Sequence, residues 1–176
     1  MRHFSKCCLW HKNTARNGVS RFVIALCLIA FGVGCEGDKY ALINEVAPEI
    51  VAMDLEGKSV NLSDFSDKAV ALIFYKNGCE ACVGVIPAID SYAKSANLTA
   101  IAINTGNTKE EIAEFLEEMP LPNTLILRDS MGLSAKRFII NLTPTIILLD
   151  KAHIMRGKII GASDFNKVEA QIKELL

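Results

Sequence analysis

Two cysteines separated by two residues give the clearest chemical signal in this chain. They form the motif Cys79-Glu80-Ala81-Cys82, which follows the apolar run AVALIFY at residues 69–75. Thiols at this spacing can meet within one helical turn, and the positive end of the helix dipole favours the thiolate of the first cysteine. The spacing therefore predicts thiol–disulfide exchange, with Cys79 as the nucleophile and Cys82 as the resolving thiol.

The other apolar segments predict an α/β domain that holds this motif at the end of a buried strand. Short runs rich in β-branched residues predict strands at 50–53, 58–62, 69–75, 98–104, 123–128, 144–150 and, at an edge, 153–161. Amphipathic or capped segments predict helices at 82–95, 109–119, 130–138 and 164–176. Strands that alternate with helices need crossover connections, so we expect one sheet with helices on both faces.

Several landmarks resemble one family. They are the opening APEIVAMDLEGKSVNLSDF from Ala47, the segment AVALIFYKNGCEAC from Ala69, Pro87, and Thr143-Pro144-Thr145. Residues 47–176 with these landmarks resemble the thioredoxin superfamily, and within it the TlpA/ResA-type thiol-disulfide oxidoreductases tethered to bacterial membranes. The resemblance implies a thioredoxin-like fold with a central mixed sheet, flanking helices and an N-terminal β-hairpin.

The resemblance also implies roles for individual residues. Pro144 is expected to be cis and to face the disulfide, while the Thr143 backbone positions an extended substrate beside Cys79. No bound cofactor and no metal site are implied. Cytochrome c maturation is one destination that the family suggests for the activity.

The chain departs from the family pattern at three positions near the cysteines. Gly78 stands where the family usually has tryptophan, Ile73 where thioredoxins keep a buried acid, and Val85 where ResA-type proteins carry a glutamate. Resolution by Cys82 then depends on Glu80, water or the substrate. Glu80 disfavours a second negative charge at Cys79 whereas Lys76 favours it, and this balance favours a reductase over a strong oxidant.

The N-terminal segment predicts export. An uncharged run, FVIALCLIAFGVG at 22–34, is too short for a good permanent membrane span and resembles a secretory signal. It ends at Cys35 in a sequence similar to a lipoprotein lipobox, so we expect Cys35 to be acylated; an uncleaved anchor is the alternative. The predicted organisation is a signal, lipoprotein or anchor segment at 1–35, a tether at 36–46 and the domain at 47–176, outside the cytoplasm in the bacterial cell envelope.

The distribution of charge narrows the range of partners. Residues 1–35 hold five basic and no acidic residues, and the rest of the chain holds 14 basic against 20 acidic residues. An acidic body without a basic cluster excludes nucleic acid as a partner. The expected partners are protein disulfides and dithiols, an upstream membrane thiol reductant, and the membrane through the N-terminal anchor.

Other uses of two cysteines stay open on the residues alone. A structural zinc site needs four ligands, and the exported part adds only Cys35 and His153. A structural disulfide across two residues gains little from loop closure. A Sco-like copper carrier spaces its cysteines by three residues, and His153 is expected to be an exposed residue in a turn before the edge strand. A peroxiredoxin carries threonine three positions before its peroxidatic cysteine, where this chain has Cys79. A thioredoxin fold that binds partners without turnover is the remaining alternative.

Overall fold

The strand that leads to the cysteine motif lies at the centre of the fold. In the computed structural model, which describes residues 40–161 and 163–176, strand β3 spans Ala69–Tyr75 and all seven of its side chains are buried. Side chains alternate between the two faces of a strand, so burial of every residue requires a covering layer on each face. The apolar run 69–75 therefore forms the doubly covered strand that the sequence predicts.

The described residues form one seven-stranded mixed sheet with four α-helices. The other strands are β1 (Ala52–Met53), β2 (Ser59–Val60), β4 (Leu98–Asn104), β5 (Thr124–Arg128), β6 (Thr145–Leu149) and β7 (Met155–Ile160). The helices are α1 (Glu80–Ser95), α2 (Lys109–Glu118), α3 (Leu133–Arg137) and α4 (Phe165–Lys173), and a 3₁₀ turn covers Leu62–Phe65. The strand order is β2-β1-β5-β4-β3-β6-β7.

Strand directions match the predicted mixed sheet. Strands β3, β4 and β5 are parallel, whereas β6 is antiparallel to β3 and β7 is antiparallel to β6. The pair β1 and β2 forms the predicted N-terminal hairpin, antiparallel to each other and attached to β5. The α/β fold class and the thioredoxin-like arrangement are confirmed.

Two apolar clusters cover the faces of this sheet. On one face, Ile73 and Tyr75 pack with Ile86 and Ile89 of α1 and with Ile172 of α4. The opposite face carries the second cluster, in which the rings of Phe74 and Phe138 lie 5.6 Å apart. Because Phe138 directly follows α3, helices cover both faces as predicted. Helix α1 continues through Pro87.

The capping prediction for α2 is confirmed. Thr108 Oγ1 accepts a hydrogen bond from the Glu111 backbone N–H at 3.2 Å, and the Glu111 carboxylate accepts one from the Thr108 N–H at 2.7 Å. These two bonds satisfy N–H groups that have no partner inside the helix. The two bonds fix the residue at which the loop after β4 ends and α2 begins.

Two predictions were wrong in detail. The helix expected at 130–138 spans only Leu133–Arg137, because the Asp129 carboxylate accepts the N–H groups of Leu133 and Ala135 and thereby fixes its start. His153, expected as an exposed turn residue, is half-buried, with Nε2 3.1 Å from the Phe65 carbonyl oxygen.

Residues 41–46, part of the predicted tether, hydrogen-bond to the domain. The Ala41 N–H donates to the Arg137 carbonyl at 2.8 Å, and Asn44 and Glu45 form two backbone bonds with Met155. The predicted signal segment 1–35, with Cys35, and tether residues 36–39 lie outside the described residues. Among the described helices, none is both long and apolar enough to cross a membrane.

Candidate active site

The two cysteines lie at the start of α1, immediately beyond the end of β3. Cys79 is the N-cap residue of α1, and its sulfur is bonded to that of Cys82 at 2.11 Å, with the Cα atoms 5.2 Å apart. Cys82 is fully buried in the cluster that contains Ile73 and Tyr75, whereas Cys79 is only half-buried. An attacking or attacked sulfur must be accessible, so Cys79 is the one that a partner can reach.

The turn that presents Cys79 needs a glycine. Gly78 has φ +75°, in the left-handed region, and the Cys79 N–H donates to the Lys76 carbonyl at 3.4 Å. A side chain with a β-carbon enters that region at a cost of about 1 kcal/mol or more. The glycine that replaces the family's tryptophan is therefore suited to the backbone of this turn.

A second loop lies beside the cysteine turn. The Thr143–Pro144 peptide is cis, as the resemblance implies. In the antiparallel pairing of β3 with β6, Phe74 lies opposite Thr145. The ladder ends at this pair. Thr143, two residues before Thr145, lines the same cavity as Lys76, two residues after Phe74. The Pro144 carbonyl accepts the Gly161 N–H at 2.8 Å, which ties the loop to the end of β7.

Three asparagines support the cysteine turn from the ends of β3 and β4. Asn104 is fully buried, and its Nδ2 donates to Asn77 Oδ1 at 3.1 Å. Its Oδ1 accepts the N–H groups of Gly106 and Asn107, at 3.1 and 2.9 Å. Asn107 Oδ1 in turn accepts the Asn77 N–H at 2.9 Å. These three residues, which we call the asparagine cluster, link the turn after β3 to the loop after β4. The links use both backbone and side-chain groups.

The asparagine cluster extends to the start of α2. Asn77 Nδ2 donates to the Glu111 carbonyl at 2.7 Å, and Asn107 Nδ2 lies 3.3 Å from a Glu111 carboxylate oxygen. Donation from the Thr108 N–H, assisted by the Asn107 amide, holds the pKa of Glu111 below its usual range. The sequence reading missed these residues; asparagines at the ends of two adjacent parallel strands were the available signal.

A buried phenol lies in the same cluster as Cys82. The Tyr75 hydroxyl has no hydrogen-bond partner among the described residues. Burial raises the pKa of Tyr75 to about 12, although the nearby Asn104 amide opposes the rise without an ordinary hydrogen bond. The phenol is therefore neutral at physiological pH. Ile73, which stands where thioredoxins keep an acid, is fully buried among apolar residues.

The two charged residues that the sequence singled out lie on either side of Cys79. Lys76 follows the last residue of β3, and Glu80 is the first residue of α1; both are exposed. The predicted site residues thus belong to three segments: Lys76 and Cys79 to the turn after β3, Glu80 and Cys82 to the first turn of α1, and Thr143 and Pro144 to the loop before β6. The structure places Lys76 and Thr143 on one cavity. Among the described residues, no group of three or more histidines, cysteines and acids is arranged to hold a metal ion.

Known proteins are similar to this chain over most of its length. The AhpC/TSA family matches residues 43–158, more than half of the chain. ResA, a thiol-disulfide oxidoreductase of Bacillus thuringiensis, is 28% identical over 76% of this chain and 76% of its own length. DsbE, a thiol:disulfide interchange protein of Xylella fastidiosa, is 24% identical over 90% of this chain and 84% of its own.

A solved structure agrees with these relatives. The thioredoxin domain of a thiol-disulfide oxidoreductase from Bacteroides vulgatus superposes with a TM-score of 0.61 and 29% identity, covering 74% of this chain and 98% of that domain. The chain belongs to the AhpC/TSA family, and its relatives and its Cys79–Cys82 pair put it among the thiol-disulfide oxidoreductases of the ResA and DsbE type.

Proposed function

We propose that this protein reduces disulfides of other proteins outside the cytoplasm, with Cys79 as the nucleophile and Cys82 as the resolving thiol. The observation that carries the proposal is the difference between the two sulfurs: Cys79 is accessible at the helix start, and Cys82 is buried behind it. The helix N-terminus supplies about half a positive charge, which favours the thiolate at Cys79. Thiolates are the attacking species in disulfide exchange.

The proposed cycle begins with the reduced pair. The Cys79 thiolate attacks one sulfur of a client disulfide, the client S–S bond breaks, and the released client thiolate takes a proton from water. A mixed disulfide between Cys79 and the client remains. Cys82 then loses its proton to water and, as a thiolate, attacks the Cys79 sulfur. The bond between Cys79 and the client breaks, the second client thiolate takes a proton from water, and the Cys79–Cys82 disulfide remains. An upstream thiol reductant at the membrane restores the dithiol.

Client binding is assigned to the loop that contains the cis peptide. Thr143 precedes the cis bond and lines the same cavity as Lys76, whose carbonyl accepts the Cys79 N–H in the turn that presents Cys79. Its backbone groups are proposed to pair with an extended client segment, so that the client disulfide approaches Cys79. The family resemblance suggests apocytochromes c as one class of client.

The direction of exchange follows from charge. Glu80 lies next to Cys79 in the first turn of α1 and disfavours a thiolate, which opposes the helix dipole and Lys76. A dedicated oxidant such as DsbA, with a potential of about −120 mV, depends on a strongly stabilised reduced form. We expect a potential well below that value. A potential near −120 mV, measured by equilibration with glutathione, would instead indicate an oxidant.

The location is proposed from the N-terminal sequence. Residues 1–35 resemble an export signal that ends in a lipobox-like cysteine, and tethering through an acylated Cys35 would hold the domain at the outer face of a bacterial membrane. Disulfides persist in that compartment, so clients are available there. Membrane fractionation of the wild type and of Cys35→Ser tests the tether.

Turnover with a general protein disulfide tests the function itself. The purified protein, supplied with dithiothreitol, should accelerate the reduction of insulin and leave hydroperoxides unreduced. Reduction of a hydroperoxide without insulin reduction would favour a peroxiredoxin-like peroxidase. Absence of both activities in a folded, fully reduced protein would favour a binding module without turnover.

Neutralising Glu80 should make Cys79 more acidic. In Glu80→Gln, loss of the adjacent negative charge lowers the pKa of the Cys79 thiol by roughly half a unit, because both groups are partly solvated and the interaction is screened. The reduction potential should shift upward with it. The pH dependence of iodoacetamide alkylation measures the pKa. The matched control is Glu117→Gln, exposed on α2, which should leave it unchanged; an equal effect of both variants would contradict a local role.

A further inference from the structure

A groove extends from the cysteine turn along the loop that contains the cis peptide. It consists of two adjoining cavities of about 280 and 550 Å³, which share Ala135, Ile140 and Asn141 as lining residues. Thr143 lines the smaller cavity, and Ile139 lines the larger one. We call this surface the Lys76 groove, because Lys76 lines its active-site end.

The charge of the Lys76 groove is opposite to that of the rest of the exported chain. Lys76 lines the smaller cavity at the active-site end, and no acidic residue lines that cavity within the part of the chain that the structure describes. Residues 36–176 as a whole hold 14 basic against 20 acidic residues. A cationic groove on an acidic body selects an anionic ligand.

Lys76 has room to lie along the groove wall. A β-carbon at Gly106 would come within 3.1 Å of Lys76 Cε and 3.6 Å of Nζ, so the glycine leaves space for the lysine stem. Among the described residues, none forms a hydrogen bond or ion pair with the Lys76 ammonium. Its charge is therefore available to a bound ligand.

The shape and lining of the groove favour a peptide over a small anion. Ile139 lines the larger cavity and Leu142 the smaller one, and they are 41% and 55% exposed, so each cavity also offers apolar surface. Thr143, which lines the smaller cavity together with Lys76, offers the backbone groups that an extended segment requires. A small anion would contact Lys76 and leave the larger, apolar cavity unused.

We propose that the Lys76 groove binds the client segment that flanks the disulfide, and that Lys76 selects clients with an aspartate or glutamate beside the reacting cysteine. This inference rests on the proposed function, because it names the substrate class of the same site. Lys76 would act as a specificity-determining residue by pairing with the client carboxylate.

Single-turnover reduction of two matched peptide disulfides tests this selection. The peptides are identical except for glutamate or glutamine beside the cysteine, and the fully reduced protein is the reductant. The wild type should reduce the glutamate peptide about five-fold faster, as expected for a partly solvated ion pair. In Lys76→Gln this ratio should fall to about one, and Lys76→Arg should retain it. The ratio cancels any change in the intrinsic reactivity of Cys79.

The matched control is Lys151→Gln, at the opposite end of β6 from Thr143, which should keep the wild-type ratio. Equal rates for both peptides in the wild type would overturn the groove proposal while leaving the reductase function intact. The groove proposal would also be overturned if Lys76 increased the rate with glutathione disulfide but made no difference between the two peptides.

A binding measurement separates failure of the groove from failure of the enzyme. If neither peptide is reduced, the proposed function fails, and fluorescence anisotropy with labelled peptides whose cysteine is replaced by serine decides about the groove. Tighter binding of the glutamate peptide, lost in Lys76→Gln, supports the groove. Equal binding of both peptides overturns it.

Discussion

Replacing Cys79 with serine should abolish insulin reduction, with a loss on the order of a thousand-fold or more, because a hydroxyl is a far weaker nucleophile than a thiolate at neutral pH. The residue lies at the accessible start of α1, and the other cysteine of the described residues, Cys82, is fully buried and therefore cannot replace it. Initial rates of the reaction at equal protein concentration measure the effect.

The control for this loss compares the stability of Cys79→Ser with that of Cys82→Ser. Cys79→Ser and Cys82→Ser both remove the disulfide, so their urea midpoints should be similar, and the comparison separates lost chemistry from lost folding. Insulin turnover by Cys79→Ser equal to that of the wild type would contradict the assignment of the nucleophile.

Replacing Asn104 with alanine should lower the free energy of unfolding by about 2–4 kcal/mol. The change removes the hydrogen bond to Asn77 and leaves the N–H groups of Gly106 and Asn107 without their acceptor in a partly buried loop. The turn that presents Cys79 should become less ordered, so insulin turnover should also fall, by about ten-fold. Urea unfolding of the oxidised protein measures the first effect, and initial rates measure the second.

The matched control is Asn97→Ala, an exposed asparagine in the turn between α1 and β4, which should change stability by less than about 0.5 kcal/mol. A double-mutant cycle of Asn77→Ala with Asn104→Ala tests the direct contact. Coupling of about 0.5 kcal/mol or more is expected for residues in contact. Strictly additive losses would show that the asparagine cluster does not act as a unit.

The fold could be predicted largely because its strands are unambiguous. The runs 69–75 and 98–104 are apolar at nearly every position, and the structure forms strands over those same residues. The capping box at Thr108 and Glu111 fixed the start of α2 by local chemistry. The helix at 130–138 was harder, since its true start depends on a bond from Leu133 to Asp129 that no periodicity reveals.

The supporting network of the site could not be predicted in the same way. The contacts of Asn77 with Asn104 and Asn107 join residues 27 and 30 positions apart, and only the parallel pairing of β3 with β4 brings them together. Likewise, the glycine at position 78 looked like a departure from the family until its positive φ angle gave it a local role. The reactive cysteines could be recognised from a short motif, whereas the residues that hold their turn in place are brought together only by long-range strand pairing.

Trapping the mixed disulfide in Cys82→Ser is the most direct test that Cys79 is the sulfur that attacks the client. The reduced variant is mixed with insulin, quenched with acid and digested, and disulfide-linked peptides are identified by mass spectrometry. We expect one dominant mixed disulfide, between insulin and the peptide that contains Cys79. A stable adduct at any other cysteine, or an adduct that forms equally well in Cys79→Ser, would contradict it.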